Sequence, residues 1–304
     1  MFRKLQFTGV LSFGIIFYFF ENFSKTYSGF LCLFLILLLG IPHGAIDHKI
    51  HQSISRNKNL FQYIITYLLT ATGYVIWWII DPAKALLIFI LLSAYHFGQE
   101  FLEDKNLKVE KNKPAFFILW GSLILISPLL FSLDEVSDYL HIVTGYSFSN
   151  IPLEVSICIV LIIYLLAICH LVYLFVKKQI AKADLVGLIG FVVVNTALHL
   201  LLDFVIAFTI YFVLFHSLNA FRHQFSWLSE RNKNYTIKKF IADLSVFALI
   251  AIFGIAIIIG LIRPSDMEAL ISIFFIMISL ITLPHAVTLN QFYQFRKKSG
   301  NSLS

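Results

Sequence analysis

The chain has 304 residues, 59% of them hydrophobic and only 13% charged, with a mean hydropathy of +0.84. A water-soluble domain carries about 25% charged residues, so the composition excludes one and indicates an all-α integral membrane protein. The net charge of +6 could suggest a nucleic-acid partner, but the basic residues fall between apolar runs, as a topology signal does. Cys32, Cys158 and Cys169 lie inside apolar runs and offer neither a disulfide framework nor a thiolate metal motif.

A span needs about 20 apolar residues. That rule predicts ten helices, at 5–20, 29–48, 60–80, 84–102, 115–133, 153–176, 185–201, 203–225, 241–262 and 268–293. They read as a polytopic transmembrane bundle and a single domain over 1–304. The run after Arg3 and Lys4 mimics a signal peptide, but no small-residue cleavage site follows it, so it reads as an uncleaved first span. The turn near Asp203 is so tight that its flanks read either as two helices or as one broken helix. The longest loops are predicted around 103–114, 134–152 and 226–240. With both termini cytoplasmic, only Lys25, Lys84 and Arg263 of the 23 Lys and Arg fall outside, which leaves 20 inside. This is the positive-inside bias, and the cell (inner) membrane is the expected location.

Four segments interrupt the apolar background: 42–48 (PHGAIDH), 95–100 (YHFGQE), 216–223 (HSLNAFRH) and 283–286 (LPHA). Ionisable residues at membrane depth are expensive and by default mark a functional site. The topology puts His43, His96, His216, His223 and His285 on four helices, about 3 to 13 Å above their inner ends. Imidazole is the usual ligand for iron, copper or zinc where thiolate is absent, and bundle cores hold metals with side chains from facing helices. A hydrogen bond across a helix interface is the alternative for any one histidine; five at one level favour a metal. Asp47 follows His43 by four, and Glu100 follows His96 by four, so each shares its histidine's helix face. Such a carboxylate either accepts the second ring N–H and fixes the tautomer or simply marks the membrane boundary. Asn219 is the close partner of His216 at i+3. His216 and His223 share a face but stand about 10 Å apart, so one ion takes both only if the side chains lean together or the helix is distorted. His170, His199 and His141 lie outside the set.

Two other classes compete with a metal enzyme of this kind. A membrane desaturase or hydroxylase uses close HxxxH and HxxHH clusters, whereas this chain has only the HxxH of His48 and His51 beside scattered single histidines. A transporter with a polar histidine-lined site suits ten spans with broken helices. Against it stand the lack of a convincing inverted repeat and the clustering of histidines toward one leaflet.

In order and spacing, PHGAIDH, YHFGQE, HSLNAFRH and LPHA resemble the Brp/Blh group of bacterial and archaeal β-carotene 15,15′-dioxygenases, from about residue 40 to 290. The resemblance implies a polytopic membrane enzyme that splits β-carotene with O2 at its central double bond into two retinals, with a functional link to a rhodopsin. It also implies ferrous iron (Fe2+) held by His43, His96, His216 and His223. The last pair of that family is closer, near one helical turn. Three extra residues separate His216 from His223 here, which makes His285 an alternative fourth ligand. A polyene has no acid or base handle, so a redox metal with an open position is the chemistry that suits it.

Overall fold

A computed structural model describes residues 9, 10, 12, 14, 25–55, 59–104 and 113–298 of the chain. Nine helices among the described residues are long and apolar enough to cross a membrane. In chain order they are α1 (Thr26–Ile54), α2 (Leu60–Ile80), α3 (Pro82–Glu103), α4 (Pro114–Phe131), α6 (Leu153–Val176), α7 (Lys182–Leu201), α8 (Phe204–Arg231), α9 (Ile237–Ile262) and α10 (Met267–Lys297). Between α4 and α6 lies a shorter helix, α5 (Leu133–Thr144). No strand occurs among the described residues, and the chain is an all-α, multi-pass membrane bundle. The predicted first span, 5–20, lies almost wholly outside the described residues; of it only Gly9, Val10, Ser12 and Gly14 are described, all helical.

The predicted outer loop at 134–152 is corrected by α5. Its Leu133, Val136, Leu140 and Val143 are buried at helical spacing, with Asp134 and Glu135 in the first turn, where acidic residues suit the helix dipole. Gly145 ends it at φ 75°, the left-handed position glycine fills without strain. The turn near Asp203 resolves into two helices: Leu202 is extended and α8 begins at Phe204. The Glu135 carboxylate caps that start, accepting the Phe204 N–H at 2.8 and 2.9 Å.

Helices α1, α3 and α8 are the most buried of the spans, whereas α2 and α9 present most of their surface outward. Three spans carry a π-helical segment: Ile36–Gly40 in α1, Ser122–Ile126 in α4 and Phe212–Ser217 in α8. Such segments insert a residue into the helical turn and concentrate at functional sites. The first and third meet at Gly40, where an added Cβ would lie 2.6 Å from the Phe212 ring. Helices α3 and α4 touch backbone to backbone: a Cβ on Gly98 would lie 1.8 Å from the Phe117 carbonyl oxygen, and one on Gly121 would lie 1.6 Å from that of Ala94. Small residues that let backbones approach are the usual packing device of membrane helices. Here the device fixes the helix that carries His96.

Candidate metal centre

Four buried histidines from α1, α3, α8 and α10 meet in the core: His43, His96, His216 and His285. His43 lies edge-on to His216 and His285, with ring centroids 4.7 and 4.8 Å apart. His96 lies edge-on to the same two, at 5.2 and 5.1 Å. Ring nitrogens of His43, His216 and His285 all fall within 4.8 Å of one another, and so do ligand atoms of His96, Glu100 and His216. Nitrogens around one first-row ion lie roughly 3 to 4 Å apart when each bond is about 2 Å, so little inward movement closes the set.

The partners of the rings fix their tautomers. His43 donates Nδ1–H to the Gly40 carbonyl, while the Gly44 N–H bonds the Ile41 carbonyl. His216 Nδ1 lies 2.7 Å from Glu100 Oε2, an ion-pair distance at which the carboxylate favours a proton on that nitrogen, and His285 Nδ1–H donates to Asp47 Oδ2 at 2.8 Å. Each of these rings therefore turns an Nε2 lone pair inward. His43 Nε2 and His216 Nε2 stand 3.2 Å apart, two acceptors facing each other when both rings are protonated at Nδ1. His285 Nε2 and both nitrogens of His96 are buried without a hydrogen-bond partner. Buried polar atoms are rarely left so. A cation among the four would take the inward lone pairs of His43, His216 and His285 and one nitrogen of His96, so the residues present fit a metal ion of the kind imidazole binds.

The carboxylates are crossed relative to the sequence expectation. Asp47 serves His285 rather than His43, and Glu100 serves His216 rather than His96. The reason at His43 is local: its Nδ1–H is already committed to Gly40. Asn219 does not bond His216; its amide donates to the Phe215 carbonyl at 2.6 Å. His223 is buried but belongs to neither group of converging ligand atoms; its Nε2 lies 3.2 Å from the Arg222 guanidinium. The distortion of α8 spans Phe212–Ser217 and includes His216, but from Leu218 onward the helix is regular, so most of the seven-residue rise to His223 is undistorted. His170 accepts from Trp120 Nε1 at 3.0 Å and stacks on Phe116, and His199 bonds the Asn195 carbonyl; both are packing residues. Gln224, not anticipated from sequence, donates to the His43 carbonyl at 3.0 Å and ties α8 to the PHG turn. A lone amide beside His223 was its only sequence signal.

A pocket lies against the four rings. It shares Ile36, Phe97, Phe212, Ile278 and Thr282 with an apolar chamber. The chamber runs along α10 from Ile271 to Thr282, about 16 Å at 1.5 Å per residue. On α8, Phe204, Phe208 and Phe212 form a ladder of near-parallel rings, with centroids 6.0 and 5.5 Å apart. His216 continues it, stacked 5.0 Å from Phe212. At the far end Tyr139 lies between the chamber and an acidic vestibule that includes Asp134, Asp138 and Asp266. Burial, with Glu135 and its acidic neighbours, pushes the Tyr139 phenol up to about 12, so it stays protonated at neutral pH.

Fold and site together define a multi-pass helical membrane protein whose buried histidine cluster opens on a long aromatic chamber. The family model described as Beta-carotene 15,15'-dioxygenase matches residues 34–293. The chain belongs to that family. It is similar to "Beta-carotene 15,15'-dioxygenase" of Uncultured marine bacterium 66A03, 28% identical over 280 residues that cover 88% of this chain and 94% of that protein. It is also similar to "Probable beta-carotene 15,15'-dioxygenase Blh" of Halobacterium salinarum, 26% identical over 105 residues, or 31% of this chain and 30% of that one. No solved structure matches.

Proposed function

We propose that this protein cleaves β-carotene at its central 15,15′ double bond with O2, giving two molecules of all-trans-retinal for a rhodopsin in the same cell (inner) membrane. The observation that carries the reading is the convergence of four buried histidines at one end of an apolar, aromatic-walled chamber in a chain of this family. The balance closes without an external reductant: one C=C and the O–O bond break, and two C=O bonds form. Ferrous iron held by His43, His96, His216 and His285 supplies the redox chemistry that O2 requires.

The chain's own residues do the rest. Asp47 accepts the Nδ1–H of His285 and Glu100 stands 2.7 Å from Nδ1 of His216, so each carboxylate favours one tautomer of its ring. The ladder of Phe204, Phe208 and Phe212 gives a flat polyene a flat wall, and the apolar lining excludes water and side reactions. His216 ends the ladder, so a polyene lying along it reaches the cluster. A substrate dissolved in the bilayer enters such a chamber without passing through water.

The test is expression in a bacterium that accumulates β-carotene, followed by pigment extraction and chromatography. Cells should lose their orange colour and gain retinal. Long-chain apocarotenals as the main product would refute central cleavage. Unchanged β-carotene beside folded, iron-loaded protein would sink the family reading for this chain.

A further inference from the structure

Four serines and threonines line the apolar chamber: Ser93, Thr209, Ser272 and Thr282. Three of them have given their protons to the backbone. Thr209 donates to the Val205 carbonyl at 2.7 Å, Thr282 to that of Ile278 at 2.8 Å, and Ser272 to that of Tyr139 at 3.4 Å. Ser93 is different. It is 1% exposed, and its hydroxyl has no hydrogen-bond partner. A serine in a helix can return its proton to the carbonyl four residues back, and Ser93 does not. A buried hydroxyl left unpaired is costly, and in a native protein such a group calls for an explanation.

Its position supplies one. Ser93 precedes His96 by three residues on α3, about 4.5 Å along the helix axis toward the chamber. Of the four hydroxyls it is the one with an uncommitted proton, in a cavity walled mainly by aliphatic and aromatic side chains. A hydrocarbon polyene brings nothing for it to bond. Cleavage creates an acceptor in that region: the carbonyl oxygen at the cut end of the half lying in the chamber. We propose that Ser93 donates a hydrogen bond to the aldehyde oxygen of retinal, so that the chamber binds the product with its carbonyl at the histidine end and its ring toward Tyr139. The identity of the ligand rests on the cleavage reading above. Ser93 is thereby a product-binding residue that discriminates an aldehyde from a hydrocarbon of the same length.

The experiment titrates the purified full-length protein in detergent with two ligands and reads quenching of tryptophan fluorescence. One ligand is all-trans-retinal; the other is the same C20 polyene with a methyl group in place of the aldehyde. The wild type should prefer retinal. Ser93→Ala should weaken retinal roughly two- to tenfold, the range of one net hydrogen bond, and should bring the two affinities together. The isosteric pair Ser93→Thr and Ser93→Val separates the hydroxyl from its volume: threonine should keep the preference and valine should lose it. Equal losses for both ligands would assign Ser93 to packing, and an unchanged preference in Ser93→Val would overturn the proposal outright. Because the titration needs no turnover, a protein that fails to cleave carotene refutes the cleavage reading while leaving the Ser93 result readable.

Discussion

At the scale of single residues the cluster is held by carboxylate–imidazole contacts that cross between helices. The carboxylate of α1 supports the histidine of α10, and that of α3 supports the histidine of α8. Replacing Glu100 by glutamine or Asp47 by asparagine keeps the shape and removes the charge that raises ring basicity. Each change should lower iron affinity about 10- to 100-fold, measured by competition with a chelator. Truncation should be harsher. His43→Ala, His96→Ala, His216→Ala and His285→Ala should each abolish iron retention and retinal formation, whereas His223→Ala should keep the iron-to-protein ratio near that of the wild type. A ratio that falls with His223→Ala and survives His285→Ala would reassign the fourth ligand. Gly44 adds a finer test, because a Cβ there would stand 3.3 Å from His285 Nδ1. Gly44→Ala should press on that ring and weaken both its bond to Asp47 and the retention of iron.

At the scale of elements, the irregular segments are what bring the four rings together. The π segments of α1 and α8 pack against each other at Gly40 and Phe212, one just before His43 and the other containing His216. Their positions were not legible in the sequence. A π segment is set by how two helices seat on each other, and runs such as Ile36 to Gly40 carry no local signature of it. The histidines were legible, because an imidazole beside proline or glycine in an apolar run is costly unless it is used. The pairing of the carboxylates was misread because i,i+4 spacing is a property of one helix, and the nearer demand on His43 came from its own backbone. The amphipathic spacing of α5 was readable from Leu133, Val136, Leu140 and Val143; the acidic residues among them made the stretch look like a loop. The backbone contact of Gly98 with α4 has a measurable consequence. Gly98→Val or Gly121→Val forces a side chain into a carbonyl oxygen, and overpacking of this kind costs about 3 kcal/mol or more. Both variants should melt earlier in detergent and lose iron; a melting point equal to the wild type would refute the close approach of α3 and α4.

At the scale of the whole molecule, the chamber and the cluster lie at successive levels of the same helices, so the membrane orientation decides toward which leaflet the chamber extends. On α8 and α10 the chamber residues precede the histidines, which puts the chamber toward the side where those helices begin. The charge bias predicts that this side is the outer one: Arg263 lies before α10 and no basic residue lies between α7 and α8, while Arg231, Lys233, Lys238, Lys239, Arg296, Lys297 and Lys298 gather at the other ends. The turn at Leu202 and Asp203 is the step on which this orientation depends. If α7 and α8 each cross the bilayer, five spans separate the 145–152 loop from the C-terminus, and an odd number places them on opposite sides. If the pair crossed only once, four spans would remain and both positions would share a side. Both helices are long enough to cross, at 20 and 28 residues against the roughly 20 a span needs. Reporter fusions that are active only on one side of the membrane, placed in the 145–152 loop and after Ser304, should therefore give opposite signals, with the C-terminal fusion cytoplasmic. Matching signals would mean that the turn at Asp203 folds back within the bilayer, and the chamber could then no longer be assigned to the outer leaflet from the charge of its flanking loops.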